Sequence, residues 1–291
     1  MAGGLIGVTG ATGFLGGRVA RLLNGRKIRP RIIVRNAASA PPDINAEVAE
    51  AVDYGATKEM EEALVGVETL FLVSGREDKD RLEKHFSAVD AAMAAGVKKI
   101  VYTSALGASP LATFTLARQH FATEQYIENT GVDNIVMRNS IYMDYVPYFA
   151  GPDGVIRAPA NDGRLSAVAR DDVADIAAQL LTSNKHDGEV FDVTGPEAFT
   201  LAEAAERMTE KTGRKFTFVN ESEAEAYQSR AHLGAPDWEV EGWVTSYLAI
   251  AGGELDAVVD TVQKVAGHWP MTLEAFLTAH PESWEHVEAT A

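Results

Sequence analysis

Three glycines near the start of the chain are spaced as in a phosphate-binding turn. They lie in Thr9-Gly10-Ala11-Thr12-Gly13-Phe14-Leu15-Gly16, which follows an apolar run and opens a helical pattern. Gly10 would permit a tight turn, Gly13 would let a pyrophosphate reach backbone N–H groups, and Gly16 would let the helix pack on the strand. The alternative is a purely structural turn. We predict a dinucleotide site with contacts from Thr9, Gly10, Thr12, Gly13, Phe14, Leu15 and Gly16.

The end of the second predicted strand distinguishes between two nicotinamide cofactors. Sites for NAD usually place Asp or Glu there, about 20 residues after the glycines, to bind the ribose 2′-hydroxyl. Here the strand Arg31–Val34 is followed by Arg35 and Asn36, and the next acidic residue is Asp43. Because a guanidinium matches phosphate geometry, Arg35 is predicted to bind the 2′-phosphate of NADPH. The alternative is a solvated arginine at the end of a strand.

Three further strand ends would complete the cofactor site, because ligands of an open parallel sheet bind outside the carboxyl ends of its strands. Each of these positions could equally be structural. The expected contacts are Asp53 and Tyr54 at the adenine, Val73 and Ser74 at the ribose, and Thr103 and Ser104 at the nicotinamide.

These residues require a parallel sheet to bring them together. Strand-like and helical patterns alternate, which predicts an α/β fold with a Rossmann-type doubly wound parallel sheet. Residues 147–163 are rich in Gly, Pro and Asp, which predicts a long surface loop. We expect a cofactor domain over residues 1–146 and a smaller, mainly helical substrate lobe over 147–291, and the two could interleave. The predicted strands are residues 5–9, 31–34, 47–52, 69–73, 99–103 and 134–137.

Composition excludes several other classes of function. The chain has 26 Lys and Arg against 42 Asp and Glu, a formal net charge of -16, which would repel nucleic acid. It has no cysteine, so disulfides and thiolate sites are impossible, and a reducing cytoplasm is the expected compartment. No histidine spacing indicates a metal site. Neither a signal peptide nor a membrane-spanning run is expected.

Five segments together resemble the NmrA-like group of atypical short-chain dehydrogenases/reductases. They are residues 9–16, 34–36, 101–104, 120–124 and 137–142. The resemblance implies a NAD(P)-dependent oxidoreductase, similar to NADPH-dependent quinone oxidoreductases and triphenylmethane-dye reductases. The group also contains redox-sensing regulators without turnover and tailoring enzymes of aromatic polyketide pathways. Those two functions are the alternatives for this chain.

The usual catalytic signature of short-chain dehydrogenases, Tyr-x-x-x-Lys, is missing from the helix after the fifth strand. Leu116 stands at the tyrosine position and His120 at the lysine position. With the resemblance, His120 becomes the candidate that orients the nicotinamide ribose or relays a proton, and Glu124, one turn further on, could hold its ring. The alternative is a His–Glu pair on the helix surface. Tyr54 and Lys58 match the signature by spacing alone.

The residues after the sixth strand are expected to contact the substrate. Asn139 and Tyr142 are candidate catalytic residues, and Tyr142 or Tyr145 could donate a hydrogen bond to a carbonyl oxygen as hydride arrives. Packing against an aromatic substrate is the alternative role for the tyrosines. We expect a small aromatic or quinone-like substrate and a possible homodimer. The remaining predicted substrate contacts are Ser140, Ile141 and Tyr148.

Overall fold

The computed structural model describes residues 4–287. The chain forms two compact units that interleave along the sequence instead of dividing once near residue 146. The first unit holds the chain up to Ser104 together with Gln119–Arg138 and Asp171–Phe191. The second unit holds Ala105–Arg118, Asn139–Arg170 and the chain from Asp192.

The first unit is built on a seven-stranded sheet, which confirms the predicted fold class. The strand order is β3-β2-β1-β4-β5-β6-β9, and the pairs β1–β2, β1–β4, β2–β3 and β4–β5 are parallel. The strands are β1 (Leu5–Thr9), β2 (Arg31–Val34), β3 (Glu47–Glu50), β4 (Val67–Leu72), β5 (Lys99–Ala105), β6 (Asp133–Asn139) and β9 (Val190–Val193).

The central strands β1, β4 and β5 carry mostly apolar residues, as expected when helices cover both faces of a parallel sheet. Val8, Phe71 and Val101, on the neighbouring strands β1, β4 and β5, have no solvent exposure. The helices that accompany these strands are α1 (Phe14–Gly25), α2 (Thr57–Leu64), α3 (Arg81–Ala94), α4 (Thr115–Thr130) and α5 (Arg170–Leu180).

The second unit is mainly helical, as predicted, and it also contains two small sheets. The strand β7 (Val155–Ala158) pairs in parallel with β11 (Thr217–Asn220), and β8 (Arg164–Leu165) pairs in antiparallel with β10 (Phe199–Thr200). The helices here are α6 (Leu201–Thr212), α7 (Glu223–Arg230), α8 (Asp237–Ala251) and α9 (Leu273–Ala279).

The prediction of a surface loop over residues 147–163 was wrong in its middle part. Ile156 and Ala158, on β7, and Ala160 are fully buried and belong to the core of the second unit. The glycines, prolines and aspartates around them suggested a loop, but the short apolar run pairs with β11, which lies about sixty residues further along the chain. Across residues 4–287, no helix is both long enough and apolar enough to span a bilayer.

Candidate functional site

The glycine turn between β1 and α1 is open to an anion. Gly10 has a φ of 64°, which glycine adopts at little cost, and its carbonyl oxygen accepts the N–H of Gly13 at 2.9 Å. Helix α1 begins directly after Gly13 with no side-chain cap and no acidic residue in its first turn. The positive end of the helix dipole is therefore accessible to a phosphate, and Gly10, Thr12 and Gly13 are exposed around it.

The third glycine of the turn allows close packing of α1. A Cβ atom on Gly16 would lie 2.5 Å from the carbonyl oxygen of Thr9 and 2.6 Å from that of Gly10, well inside van der Waals contact. A larger residue would push the helix away from the turn. Phe14 is partly buried and Leu15 is buried in the core, so a ligand at this turn would reach the backbone of Leu15, not its side chain.

Arg35 directly follows β2, and its guanidinium is available to a ligand. Its side chain is exposed and, within residues 4–287, forms no hydrogen bond or ion pair. Other arginines nearby are paired: Arg21 with Asp43 at 2.6 Å, and Arg31 with Glu47 at 2.8 Å. Asp43, the first acid after β2, is therefore already occupied by Arg21. This arrangement fits a 2′-phosphate better than an unsubstituted ribose, which would need a free carboxylate.

The backbone after β4 is held by side chains from three other elements. We call residues 73–75 the β4 turn. Its three successive N–H groups donate to Oγ1 of Thr9 at 2.9 Å, Oγ1 of Thr103 at 2.7 Å, and Nε2 of His85 at 2.8 Å. Thr9 and Thr103 thus use their hydroxyls to fix a turn, although the sequence predicted direct cofactor contacts for both. Their direct contact with a cofactor stays a prediction.

Tyr54 and Asp53, expected at the adenine, also have partners within the protein. The Tyr54 hydroxyl lies 2.6 Å from the carbonyl oxygen of Val73 and 2.7 Å from Oγ1 of Thr9. Burial raises the pKa of Tyr54 to about 12, so its phenol stays neutral. Asp53 lies 3.5 Å from Nζ of Lys84 and accepts N–H groups just before α2. Their contact with adenine stays a prediction.

His120 lies in a buried network, so the alternative of a helix-surface residue was wrong. Its side chain is 8% exposed. Nε2 lies 2.9 Å from Nη2 of Arg81, and Nδ1 lies 2.8 Å from the hydroxyl of Tyr102. Because a guanidinium can only donate, Nε2 must accept, and the ring proton sits on Nδ1. Burial and the charge of Arg81 keep the pKa of His120 well below its usual value, so the ring is neutral.

Glu124 does not hold the ring of His120, which corrects the pairing expected from their helical spacing. Its Oε2 lies 2.6 Å from Nη2 of Arg138, and its Oε1 accepts the hydroxyl of Ser104 at 2.5 Å. The expected pairing was based only on the spacing of residues along α4, whereas the two partners of Glu124 lie on strands β5 and β6. Ser104, expected near the nicotinamide, therefore donates its hydroxyl proton to a buried carboxylate.

In the second unit, Asn139 and Tyr142 form a polar pair with unused hydrogen-bonding capacity. Nδ2 of Asn139 lies 3.4 Å from the Tyr142 hydroxyl. Among the described residues, Oδ1 of Asn139 is buried without a hydrogen-bond partner. Burial raises the pKa of Tyr142 to about 12, so its hydroxyl stays protonated and can donate. Because unpaired buried polar atoms are rare, this oxygen and the neutral phenol beside it are candidates for hydrogen bonds to a ligand.

The other predicted substrate residues also lie in the second unit. The rings of Tyr142 and Tyr145 are stacked with centroids 6.1 Å apart, and Tyr148 stacks on His286 at 4.6 Å. Tyr145 and Tyr148 are both exposed. Ser140 is buried beside Ser166, and Ile141 packs against the core of this unit. Exposed flat rings suit an aromatic ligand, and the contact itself stays a prediction.

The sequence did not identify two buried residues, Arg81 and His85, or the partly buried Arg138. Arg81 and His85 lie four residues apart on α3, and Arg138 lies near the end of β6. Their side-chain partners are 14 to 39 residues away along the chain, so spacing alone could not reveal them. One signal was present: Arg81 and His85 occupy the same side of a helix that packs on the sheet.

Comparison with known proteins places these features in one family. A family description named NmrA-like matches residues 3–237. Quinone oxidoreductase 2 of Escherichia coli (strain K12) is 34% identical over 283 residues, covering 92% of this chain and 96% of that protein. The crystal structure of an NADPH-dependent quinone oxidoreductase from Escherichia coli complexed with NADPH matches with a TM-score of 0.86 at 33% identity, covering 96% of this chain and all of that one.

A second solved structure gives the same result. The Citrobacter sp. triphenylmethane reductase complexed with NADP(H) matches with a TM-score of 0.83 at 30% identity, covering 94% of this chain and 99% of that one. Residues 3–237, which match the family description, include all five segments that carry the resemblance. This chain belongs to the NmrA-like family.

Proposed function

We propose that this protein is an NADPH-dependent oxidoreductase that transfers hydride to a quinone-like or other extended aromatic acceptor. The observation that carries the proposal is the exposed guanidinium of Arg35, which has no partner within residues 4–287, together with the uncapped, glycine-lined N-terminus of α1. The similarity to a quinone oxidoreductase and to a triphenylmethane reductase, both solved with this cofactor, supports it.

The residues of the first unit fit the pyrophosphate and the 2′-phosphate of NADPH. The start of α1 at Gly13 would bind the pyrophosphate through backbone N–H groups. Arg35 would bind the 2′-phosphate, to which its planar fork can donate two hydrogen bonds. The bound cofactor supplies the hydride, and the protein supplies its position and excludes water. The protein itself therefore needs few reacting groups.

Asn139 and Tyr142 are proposed to bind the acceptor. A hydride delivers two electrons and one proton equivalent to a quinone, so one oxygen becomes a phenolate that gains a proton afterwards. The neutral hydroxyl of Tyr142 would donate a hydrogen bond to that oxygen, and Asn139 would orient the hydroxyl. A phenolate is a weaker base than an alkoxide, so this step does not require the missing Tyr-x-x-x-Lys pair. Ordinary ketones, which yield alkoxides, would react poorly.

Steady-state assays with purified protein test the proposal. Oxidation of NADPH and of NADH is followed by cofactor absorbance with menadione, with a triphenylmethane dye and with an aliphatic ketone. We expect turnover with menadione or the dye, faster with NADPH, and none with the ketone. Tight binding of NADPH without oxidation by any acceptor would overturn the proposal in favour of a redox sensor. Turnover with the ketone alone would overturn the choice of substrate class.

A further inference from the structure

A group of buried polar side chains in the first unit has no place in the proposed hydride transfer. We call Arg81, His85, Tyr102, His120 and Thr123 the α3–α4 cluster. All five are at least nine-tenths buried. Burying a guanidinium and two imidazoles costs free energy unless every polar atom finds a partner. Apolar side chains could fill this space without that cost. The polar cluster therefore indicates that the protein requires these particular hydrogen bonds.

The hydrogen bonds of the cluster converge on one backbone unit, that of Gly75. Nε of Arg81 donates to the carbonyl oxygen of Gly75 at 2.9 Å, and Nε2 of His85 accepts its N–H at 2.8 Å. His85 must therefore be neutral with its proton on Nδ1, which faces Oγ1 of Thr123 at 3.1 Å. Both polar groups of this peptide position are thus fixed by α3.

The two histidines have different tasks in the cluster. His85 contacts Gly75 directly, whereas His120 contacts Nη2 of Arg81 and so fixes its guanidinium. Burial lowers the pKa of His85 to about 3, so protonation does not interrupt its bond to Gly75 at neutral pH. The ring of His120 is likewise neutral, so it can accept from the guanidinium.

The β4 turn is consequently held by hydrogen bonds, and one of its backbone groups remains unused. The three N–H groups of residues 73–75 are all bonded to side chains, and the carbonyl oxygens of Val73 and Gly75 are bonded to Tyr54 and Arg81. Within residues 4–287, the carbonyl oxygen of Ser74 accepts no hydrogen bond. Ser74 lies directly beyond β4, at the carboxyl edge of the sheet where a dinucleotide would bind.

We propose that Arg81 and His85 are positioning residues that hold the β4 turn in the shape required by the nicotinamide half of the cofactor. His120 acts with them by fixing the guanidinium. This inference rests on the proposed function. It assigns the cluster to positioning and not to proton transfer, because every polar atom that would carry a proton is already bound to a neighbour inside the protein.

Binding measurements with a whole and a truncated cofactor test the assignment. NADPH contains the nicotinamide half, whereas adenosine 2′,5′-bisphosphate contains only the adenine side with its 2′-phosphate. We expect His85→Leu to weaken NADPH about tenfold or more and to leave the affinity for the bisphosphate within about twofold. His85→Gln, which retains an acceptor near the position of Nε2, should recover most of the affinity. Arg81→Lys should behave as an intermediate.

Lys99→Met provides the matched control. Lys99 is also buried and bonded to backbone carbonyls, but it begins β5 at the opposite, amino edge of the sheet. We expect it to lower stability without separating the two ligands. If His85→Leu does not fold, the same comparison is made with Arg81→Lys.

The outcomes separate this inference from the proposed function. Equal loss of both ligands in the His85 or Arg81 variants, or unchanged NADPH affinity, would overturn the positioning role while leaving the proposed function intact. Failure of the unmodified protein to bind either ligand would overturn both. A selective loss of NADPH affinity, rescued by His85→Gln, is the result expected.

Discussion

The ring nitrogen Nδ1 of His120 lies 2.8 Å from the hydroxyl of Tyr102, and both side chains are buried. The opposite ring nitrogen accepts from Arg81. The Nδ1–H group therefore donates to the hydroxyl of Tyr102, and burial raises the pKa of that hydroxyl. In this state His120 cannot exchange a proton with a substrate. The hydrogen bonds of the α3–α4 cluster require its ring to be neutral.

This condition predicts that mild acid destabilises the protein. The pKa of His85 is about 3 in the folded chain against 6.5 for an unperturbed histidine, and that of His120 is also lowered. Below pH 6.5 the unfolded chain therefore binds protons that the folded chain does not. The free energy of unfolding should therefore decrease as the pH is lowered, by about 1.4 kcal/mol per pH unit for each histidine.

Urea denaturation between pH 7.5 and pH 5 measures this dependence. Carboxylates also titrate toward the acid end, so the informative quantity is the difference between the unmodified protein and the double variant His85→Gln/His120→Gln. The double variant should show a shallower decline. Equal slopes in the two proteins would show that these histidines are not neutral in the folded state.

Replacing Arg35 should change cofactor preference. Arg35→Ser removes the charge assigned to the 2′-phosphate, and hydrogen bonds to charged groups contribute about 1.5–3 kcal/mol. The dissociation constant for NADPH should therefore rise about 10- to 100-fold, and that for NADH should stay the same. Arg29→Ser is the control, since Arg29 is also exposed but precedes β2. An equal effect of both variants would argue against a specific phosphate contact.

The close packing of α1 predicts a difference between two glycine substitutions in the same helix. A Cβ on Gly16 would clash with the carbonyl oxygens of Thr9 and Gly10, whereas one on Gly25 would meet no atom within 4 Å. Gly16→Ala should lower the free energy of unfolding by about 1–3 kcal/mol and weaken NADPH binding. Gly25→Ala should leave both unchanged. Calorimetry and cofactor titration measure the two effects, and similar behaviour of the variants would contradict the packing.

Loss of the Tyr142 hydroxyl should slow turnover. Tyr142→Phe removes the proposed donor to the acceptor oxygen, so kcat with menadione should fall about 10- to 100-fold, less than for an oxyanion-hole donor because the phenolate is less basic. NADPH affinity should not change. Tyr227→Phe, on the exposed surface of α7, is the control. An unaffected kcat in Tyr142→Phe would leave this tyrosine with a packing role only.

Local sequence patterns predicted the parts of the fold and the site that depend on neighbouring residues. The glycine turn, the doubly wound parallel sheet and the place of Arg35 at the end of β2 belong to this group. The surface loop over residues 147–163 was wrong because pairing with a distant strand outweighed local turn propensity. The partner of Glu124 was missed because spacing along α4 carries no information on β5 and β6.

The α3–α4 cluster also could not be predicted from spacing along a single helix. His120 was identified by its position, but its neighbours Arg81 and Tyr102 come from other elements. Polar residues on a helix face carry no sign of which distant residue will meet them. Their neutral or charged state depends on burial, which appears only after the sheet and helices have assembled.

A single-turnover experiment tests the central claim most directly. NADPH, unlabelled or deuterated at nicotinamide C4, is bound to excess protein and mixed with menadione in a stopped-flow instrument. The proposed function predicts that the bound cofactor is oxidised at a rate that saturates with menadione and is slower for the deuterated form. Cofactor that binds tightly but stays reduced, or that is oxidised no faster than in the absence of protein, would contradict the claim.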